Sequence, residues 1–143
     1  MDYEESAKQF LFKSYQLKKI HHQQMIDECL QGEVFALLYI ERRNDFVLPS
    51  EISDEMKISS ARVATILNNL ERKGLIKREI DLVDRRRILV SLTPSGDERA
   101  KQNNRKVIQL ITSMLESLGE RDAKEFVRIT GRIVDLAIET ADD

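Results

Sequence analysis

Residues 50–93 constrain the fold of this chain more than any other stretch. Their middle predicts a helix that begins after Ser59, whose hydroxyl can cap the first turn, and that ends at Gly74, a residue suited to a left-handed helix end. Apolar side chains recur at helical spacing on one side of this helix: Val63, Ile66, Leu67 and Leu70. Polar and basic side chains occupy the other side: Ser60, Arg62, Thr65, Asn69 and Arg72. With a turn at residues 56–59 before it, this helix is typical of the second helix of a helix-turn-helix.

Two short strands and an arginine-rich turn follow that helix. Residues 75–80 and residues 88–92 have the composition of strands, and residues 81–87 between them end in three consecutive arginines, Arg85, Arg86 and Arg87. A helix-turn-helix followed by a basic hairpin is a winged-helix module. Its second helix is shaped for the major groove of DNA, and its wing can reach phosphates or the adjacent minor groove. The predicted fold class is therefore mainly α with a small β-hairpin.

Three segments together resemble the signature of MarR-type bacterial transcription regulators. They are Leu70-Glu71-Arg72-Lys73-Gly74-Leu75-Ile76, then Asp84-Arg85-Arg86-Arg87, then Val90-Ser91-Leu92-Thr93-Pro94-Ser95-Gly96. With the chain length and the long helices on both sides, the resemblance covers nearly all of the chain. It implies a winged helix-turn-helix with long N- and C-terminal dimerisation helices. It also implies a homodimeric repressor of bacterial promoters whose DNA affinity is modulated by a small-molecule effector.

The polar side of the central helix supplies the first set of predicted DNA-binding residues. Ser60 can donate to a phosphate from the helix N-terminus, and Arg62 can fork onto guanine or contact a phosphate. Thr65 can contact a thymine methyl group or a phosphate, and Asn69 can pair with adenine. Arg72 lies on the same side of the helix. The alternative interpretation of these residues is the solvated face of an ordinary surface helix.

The wing supplies the second set. The resemblance implies that Arg86 enters the minor groove, where a narrow A·T-rich segment attracts a lone arginine. Arg85 and Arg87 are predicted to contact phosphates. Asp84 resembles the wing aspartate of the family and is predicted to orient an arginine, because a carboxylate that faced phosphates would be repelled. A solvated basic turn is the alternative.

The distribution of charge favours a nucleic-acid partner although the net charge is −2. Residues 57–106 hold 13 basic and 6 acidic residues, a local balance of +7, whereas the remainder holds 10 basic and 19 acidic ones. The local field over a contact surface, not the total charge, attracts phosphates. A solvated charged surface on a helical protein is the alternative interpretation. The chain has no apolar run long enough for a transmembrane helix, no secretory signal at its acidic N-terminus and a single cysteine, so a cytoplasmic protein without a membrane partner is expected.

The terminal helices predict a dimer. Residues 3–28 are predicted to form one long helix, and residues 93–118 and 122–140 two more. The chain of 143 residues is expected to be one domain, with a winged lobe at about residues 31–100 and dimerisation helices at about residues 1–30 and 101–143. Apolar stripes on these helices exceed what the lobe can cover, which indicates an interface. A symmetric homodimer then presents two recognition helices to half-sites about 34–36 Å apart on a pseudo-palindromic operator.

Sensing chemistry has few candidates. Cys29 is expected to be a bystander, since neighbouring carboxylates oppose its thiolate. His21 and His22 point about 100° apart on a helix, so no metal site and no cofactor are assigned. Five aromatic and methionine side chains can line an effector cleft, but residues at such spacings more often belong to the core, so no effector-binding residue is assigned. They are Phe10, Phe12, Tyr15, Met25 and Tyr39.

Two other classes of function are compared with a DNA-binding regulator by the features each requires. A winged-helix protein-interaction module that does not read DNA is the alternative to a regulator, and salt-dependent DNA binding distinguishes the two. An enzyme is not expected, because the chain has no phosphate-binding glycine loop, no nucleophile triad and no convergent carboxylate–histidine set.

Overall fold

The structure, a computed structural model, describes residues 1–141. In chain order the described elements are α1 (Tyr3–Lys18), α2 (His21–Cys29), α3 (Gly32–Arg43), α4 (Pro49–Met56), α5 (Ser60–Arg72), β1 (Ile76–Ile80), β2 (Ile88–Leu92), α6 (Pro94–Leu118) and α7 (Glu120–Ala141). The mainly helical fold class with a single hairpin is confirmed. The chain divides into two compact units, Met1–Val107 and the part from Ile108 onward.

The core of the first unit lies beneath α5. Apolar side chains from α3, α4, α5 and the two strands meet there, and these are less than 2% exposed: Ile40, Val47, Ile52, Val63, Leu67, Leu70 and Val90. The predicted inward face of α5 is thus confirmed, because Val63, Ile66, Leu67 and Leu70 are all buried. Burying such side chains stabilises the fold by about 1.5–3 kcal/mol each.

A two-stranded antiparallel sheet forms the wing. β1 pairs with β2 so that Ile76 lies opposite Leu92 and Ile80 opposite Ile88. Outside the two strands, a single bridge joins Val47 to Val90, and the two residues exchange backbone hydrogen bonds of 2.8 Å. This bridge fastens the base of the wing to the segment before α4.

The prediction of one helix over residues 3–28 is wrong, since the chain forms α1 and α2 with a break at Lys19 and Ile20. The amides of these two residues bond three residues back, to the carbonyls of Gln16 (3.2 Å) and Leu17 (3.0 Å). Ile20 then turns to an extended conformation, with φ −76° and ψ 130°, before α2 begins. Neither Gly nor Pro lies at the break, so the sequence holds no conventional stop signal there.

The second unit contains α7 and the later part of α6. None of the α7 side chains is buried, although the helix is strongly amphipathic. Its large apolar residues are 43–61% exposed: Phe126, Val127, Ile129, Ile133, Val134, Leu136 and Ile138. The first helix, α1, likewise contains no buried residue. No helix among residues 1–141 combines the length and the apolar character that crossing a lipid bilayer requires.

Candidate nucleic-acid interface

The turn before α5 is held by local hydrogen bonds. Lys57 adopts the left-handed conformation, with φ 52°, which turns the chain between α4 and α5. The hydroxyl of Ser53 donates to the carbonyl of Ile58 over 2.7 Å, and the amide of Ile58 donates to the carbonyl of Ser53 over 3.3 Å. Ser59 Oγ accepts from the amide of Arg62 over 3.1 Å, so the predicted N-cap is present. The N-terminus of α5 is therefore fixed in direction.

The outer side of α5 presents the predicted polar set. Ser60, Arg62, Thr65 and Arg72 are exposed, and Asn69 is half-buried. Thr65 donates its hydroxyl proton to the carbonyl of Ala61 over 3.2 Å. The guanidinium of Arg72 donates to Asn69 Oδ1, so these two side chains form one polar group at the end of the helix. The predicted residues therefore share one accessible surface.

The end of α5 has the hydrogen bonds of a Schellman motif. Gly74 has φ +73°, its amide donates to the carbonyl of Glu71 over 2.9 Å, and the amide of Leu75 donates to the carbonyl of Leu70 over 3.0 Å. Leu75 itself is buried, which is the apolar contact that commonly accompanies this motif. The sequence prediction for this helix end is confirmed.

A tight joint connects the end of α5 with the start of α6. The hydroxyl of Thr93 donates to the carbonyl of Gly74 over 2.6 Å and accepts from the amide of Gly96 over 3.0 Å, so it caps α6 and ties it to the turn after α5. A Cβ atom at Gly96 would lie 1.8 Å from the carbonyl oxygen of Leu75, which no other residue type permits without a shift. Gly96 therefore lets the backbones of these two segments touch.

The wing is ordered by its two aspartates. Asp84 Oδ1 accepts from the amide of Arg86 (3.1 Å) and from Arg86 Nε (3.1 Å), while Arg86 Nη2 lies 3.4 Å from Asp84 Oδ2. Hydrogen bonding to Arg86 lowers the pKa of the Asp84 carboxyl below its ordinary value, so Asp84 remains ionised at neutral pH. Asp81 Oδ2 lies 3.7 Å from Arg87 Nε. Arg85, Arg86 and Arg87 are all exposed, and Arg86 projects into solvent with its side chain 92% exposed.

An arginine that the sequence did not single out connects the wing to α5. Arg78 on β1 donates from Nε to Glu71 Oε2 (3.0 Å), and from Nη2 to Glu71 Oε1 (3.1 Å) and Asn68 Oδ1 (2.8 Å). The hydrogen bond from Arg78 lowers the pKa of the Glu71 carboxyl. Bidentate arginine–carboxylate pairs fix direction as well as distance. We call Arg78, Glu71 and Asn68 the Arg78 clamp, since it joins the wing to the side of α5.

The tip of the wing is apolar. Leu82 and Val83 are 88% and 96% exposed, between the two aspartates that order the turn. Asp81 Oδ1 accepts from the amide of Val83 over 2.9 Å, and the amide of Asp81 donates to the carbonyl of Arg87 over 3.0 Å.

Comparisons with known proteins give the family. Residues 31–87 match the model of the MarR family. The HTH-type transcriptional regulator YwhA of Bacillus subtilis (strain 168) is 30% identical over 104 residues, which are 73% of each chain. The chain belongs to the MarR family. It is a transcriptional regulator, in agreement with the expectation that it is not an enzyme.

Solved structures show that the MarR fold extends over most of this chain. A mutant of S. aureus MepR is 23% identical and has a TM-score of 0.70, covering 91% of this chain and 97% of that one. The S. aureus MepR–DNA complex is 22% identical with a TM-score of 0.65, covering 90% of this chain and 96% of that one. At these identities the likeness establishes the fold.

Other candidate groups of this MarR-family chain are not assembled into a site. Burial raises the pKa of the Cys29 thiol and the Glu28 carboxylate raises it further, which opposes formation of a reactive thiolate. The rings of His21 and His22 lie 6.4 Å apart and tilted. Among residues 1–141 no group of three His, Cys, Asp or Glu side chains is arranged to hold a metal ion.

A cleft of about 480 Å³ lies beside the helix-turn-helix. It is lined by Leu30, Gln31, Gly32, Phe35, Glu55, Met56, Ile58 and Arg62. Arg62 thus belongs both to the outer side of α5 and to the wall of this cleft. The aromatic residues considered from sequence lie elsewhere, with Phe10, Phe12 and Tyr15 exposed on α1.

Proposed function

We propose that this MarR-family regulator is a homodimer that binds a pseudo-palindromic operator in double-stranded DNA and represses transcription in the bacterial cytoplasm. The observation that carries the proposal is the pairing of two exposed basic surfaces within one unit. The outer side of α5 and the arginine wing are joined by the Arg78 clamp, which fixes one relative to the other. A rigid helix and wing of this kind suit adjacent grooves of one duplex.

The α5 helix enters the major groove in this proposal. Ser60 and Arg62 lie at its capped N-terminus, where phosphate and base-edge contacts concentrate. Arg62 contacts guanine or a phosphate, and Thr65 contacts a thymine methyl group or a phosphate. Asn69 pairs with adenine while Arg72 holds its Oδ1, since an amide oxygen has a second lone pair for a base. These side chains provide sequence readout.

The wing contacts the flanking DNA. Arg86 enters the minor groove, and Asp84 positions its guanidinium before DNA arrives. Arg85 and Arg87 contact phosphates on either side. Support for DNA as the partner also comes from the related fold of MepR, which has been solved as a DNA complex.

A second copy of the chain covers the terminal helices. The apolar stripe of α7 and the exposed aromatic residues of α1 are larger than an isolated soluble chain usually presents. A two-fold homodimer buries both and sets its two α5 helices about 34–36 Å apart, one helical turn of DNA.

A small-molecule effector modulates this binding by occupying the cleft beside the helix-turn-helix. The cleft has apolar walls from Phe35, Met56 and Ile58, and two charged groups, Glu55 and Arg62. A ligand there contacts Arg62 directly, so it changes the position of a DNA-reading side chain.

The first experiment is fluorescence anisotropy of the purified protein on DNA from upstream of its own gene, against shuffled DNA, at two salt concentrations. A specific regulator should prefer the upstream DNA by at least about 10³-fold, with affinity falling steeply as salt rises. Equal and weak binding to both DNAs at both salt concentrations, repeated with a genomic fragment library, would contradict DNA reading and favour a winged helix that serves a protein partner.

A further inference from the structure

The tip of the wing carries two adjacent apolar side chains that the proposed contacts do not use. Leu82 and Val83 are 88% and 96% exposed. Single exposed apolar residues are ordinary on protein surfaces. Two in succession at the outermost point of a basic hairpin are different, because this is the part of the lobe that first meets whatever the hairpin binds.

The tip is held in one conformation. The Asp81 side chain accepts from the amide of Val83 over 2.9 Å, and the Arg87 amide donates to the carbonyl of Asp84 over 3.0 Å. The backbone of Asp81 closes the loop on Arg87 over 3.0 Å. The apolar side chains are therefore presented by an ordered turn, which reduces the entropy lost when they bind.

The surroundings of the tip select an anionic partner with apolar surface behind its charges. Arg85, Arg86 and Arg87 follow the tip directly, while the carboxylates of Asp81 and Asp84 are occupied by contacts within the wing. The DNA minor groove has this character, with phosphates along its rims and sugar and base surfaces between them. Proteins that bind it frequently insert apolar wedges beside basic residues.

We propose that Leu82 and Val83 form an apolar wedge that enters the DNA minor groove ahead of Arg86 and packs against its walls. The inference rests on the proposed function, since it assigns a further contact to the same wing. The wedge adds affinity that is independent of salt, because it neutralises no phosphate. It also favours flanking sequences whose base steps open easily, such as TA steps.

The test compares the wild-type protein with the Leu82→Ser/Val83→Ser variant on the upstream DNA, across a range of salt concentrations. The variant should bind about tenfold more weakly, with the slope of log affinity against log salt unchanged. Leu82→Met/Val83→Ile, which keeps the tip apolar, should stay within about twofold of wild type.

The groove is assigned with a chemical nuclease. Val83→Cys in a Cys29→Ser background carries a tethered iron chelate that cleaves nearby deoxyribose. Cleavage sites displaced toward the 3′ side on the two strands indicate the minor groove, as we propose. Displacement toward the 5′ side indicates the major groove and would overturn the assignment.

The outcomes separate this inference from the proposed function. If the wild-type protein binds the upstream DNA specifically and the double serine variant binds it equally well, the proposal of an apolar wedge is wrong, whereas the proposal of a DNA-binding regulator is unaffected. The same holds if only binding to vesicles of equal phosphatidylglycerol and phosphatidylcholine is lost, which would make the tip a membrane contact. If no DNA is preferred by the wild-type protein, both proposals fail together.

Discussion

Helices α5 and α7 are both strongly amphipathic, but the apolar side of α5 is buried within the chain whereas that of α7 is exposed. In α5, a helix of 13 residues, all four inward apolar side chains are buried by the surrounding lobe. In α7, a helix of 22 residues, none is buried, and Ile133 and its apolar neighbours remain at least 43% exposed. The same periodic pattern of apolar residues therefore corresponds to a buried core in α5 and to an exposed apolar surface in α7. We propose that a second copy of the chain covers the exposed apolar side of α7.

The largest expected effect comes from a cavity on the buried side of α5. Leu67→Ala should lower the free energy of unfolding by about 2–5 kcal/mol, because Leu67 is 1% exposed and its removal leaves a cavity. Urea denaturation followed by circular dichroism measures this change. Thr65→Ala, on the outer side of the same helix, should change it by less than about 0.5 kcal/mol. A decrease in the free energy of unfolding below about 1 kcal/mol for Leu67→Ala would mean that the core of the lobe does not bury the apolar side of α5.

A charge on the exposed apolar side of α7 should weaken dimerisation rather than folding. Ile133→Lys should weaken dimerisation at least about 100-fold, since an interface would have to bury an unpaired ammonium group. Analytical ultracentrifugation measures the dimer, and operator affinity should fall with it. Asp135→Lys is the matched control, because residue 135 lies about 200° around the helix from residue 133. Equal behaviour of the two variants would place the interface elsewhere.

Substitutions on the exposed surface of the wing should weaken DNA binding without lowering the stability of the protein. Arg86→Ala should weaken operator binding about tenfold and relax the preference at A·T-rich flanks, without lowering the melting temperature, because its side chain is 92% exposed. Arg85→Ala should instead weaken binding to all sequences and reduce the salt slope by about 1. A melting temperature several degrees lower in the Arg86→Ala protein would show that Arg86 is structural.

The smallest effect concerns the link between α5 and the wing. Arg78 lowers the pKa of Glu71 in the folded protein, so the ion pair stabilises the wing above the ordinary glutamate pKa, and this contribution is lost as the pH falls through the lowered value. Protection of the β1 amides against hydrogen exchange should therefore decrease as the pH falls below the ordinary glutamate pKa. Glu71→Gln should show little of this pH dependence and should bind operator about threefold more weakly at neutral pH. Identical exchange profiles for the wild-type and Glu71→Gln proteins would show that the Arg78 clamp does not order the wing.

Local interactions made much of the lobe predictable from sequence. Ser59 and Gly74 act on backbone groups within a few residues, so their roles follow from residue type and position alone. The buried side of α5 followed from periodicity. These features need no knowledge of the tertiary structure.

The features that sequence did not predict depend on contacts made after folding. Arg78 meets Glu71 and Asn68 because the hairpin turns back along α5, and nothing in the local sequence distinguishes Arg78 from Lys77. The break at Lys19 and Ile20 has no Gly or Pro to mark it. The exposure of Leu82 and Val83 was also missed, because apolar residues in a turn carry no sign of whether a neighbour covers them.

The contact between Gly96 and the Leu75 carbonyl couples the start of α6 to the turn that follows α5. At 1.5 Å per residue, the 25 residues of α6 span roughly 37 Å. Because the joint leaves no space for sliding, the start of α6 and the end of α5 must tilt together. A tilt of about 3° at that joint moves the far end of a helix of this length by roughly 2 Å. If α5 reads DNA as we propose, a change of a few degrees at this joint changes the orientation of the side chains that contact the bases.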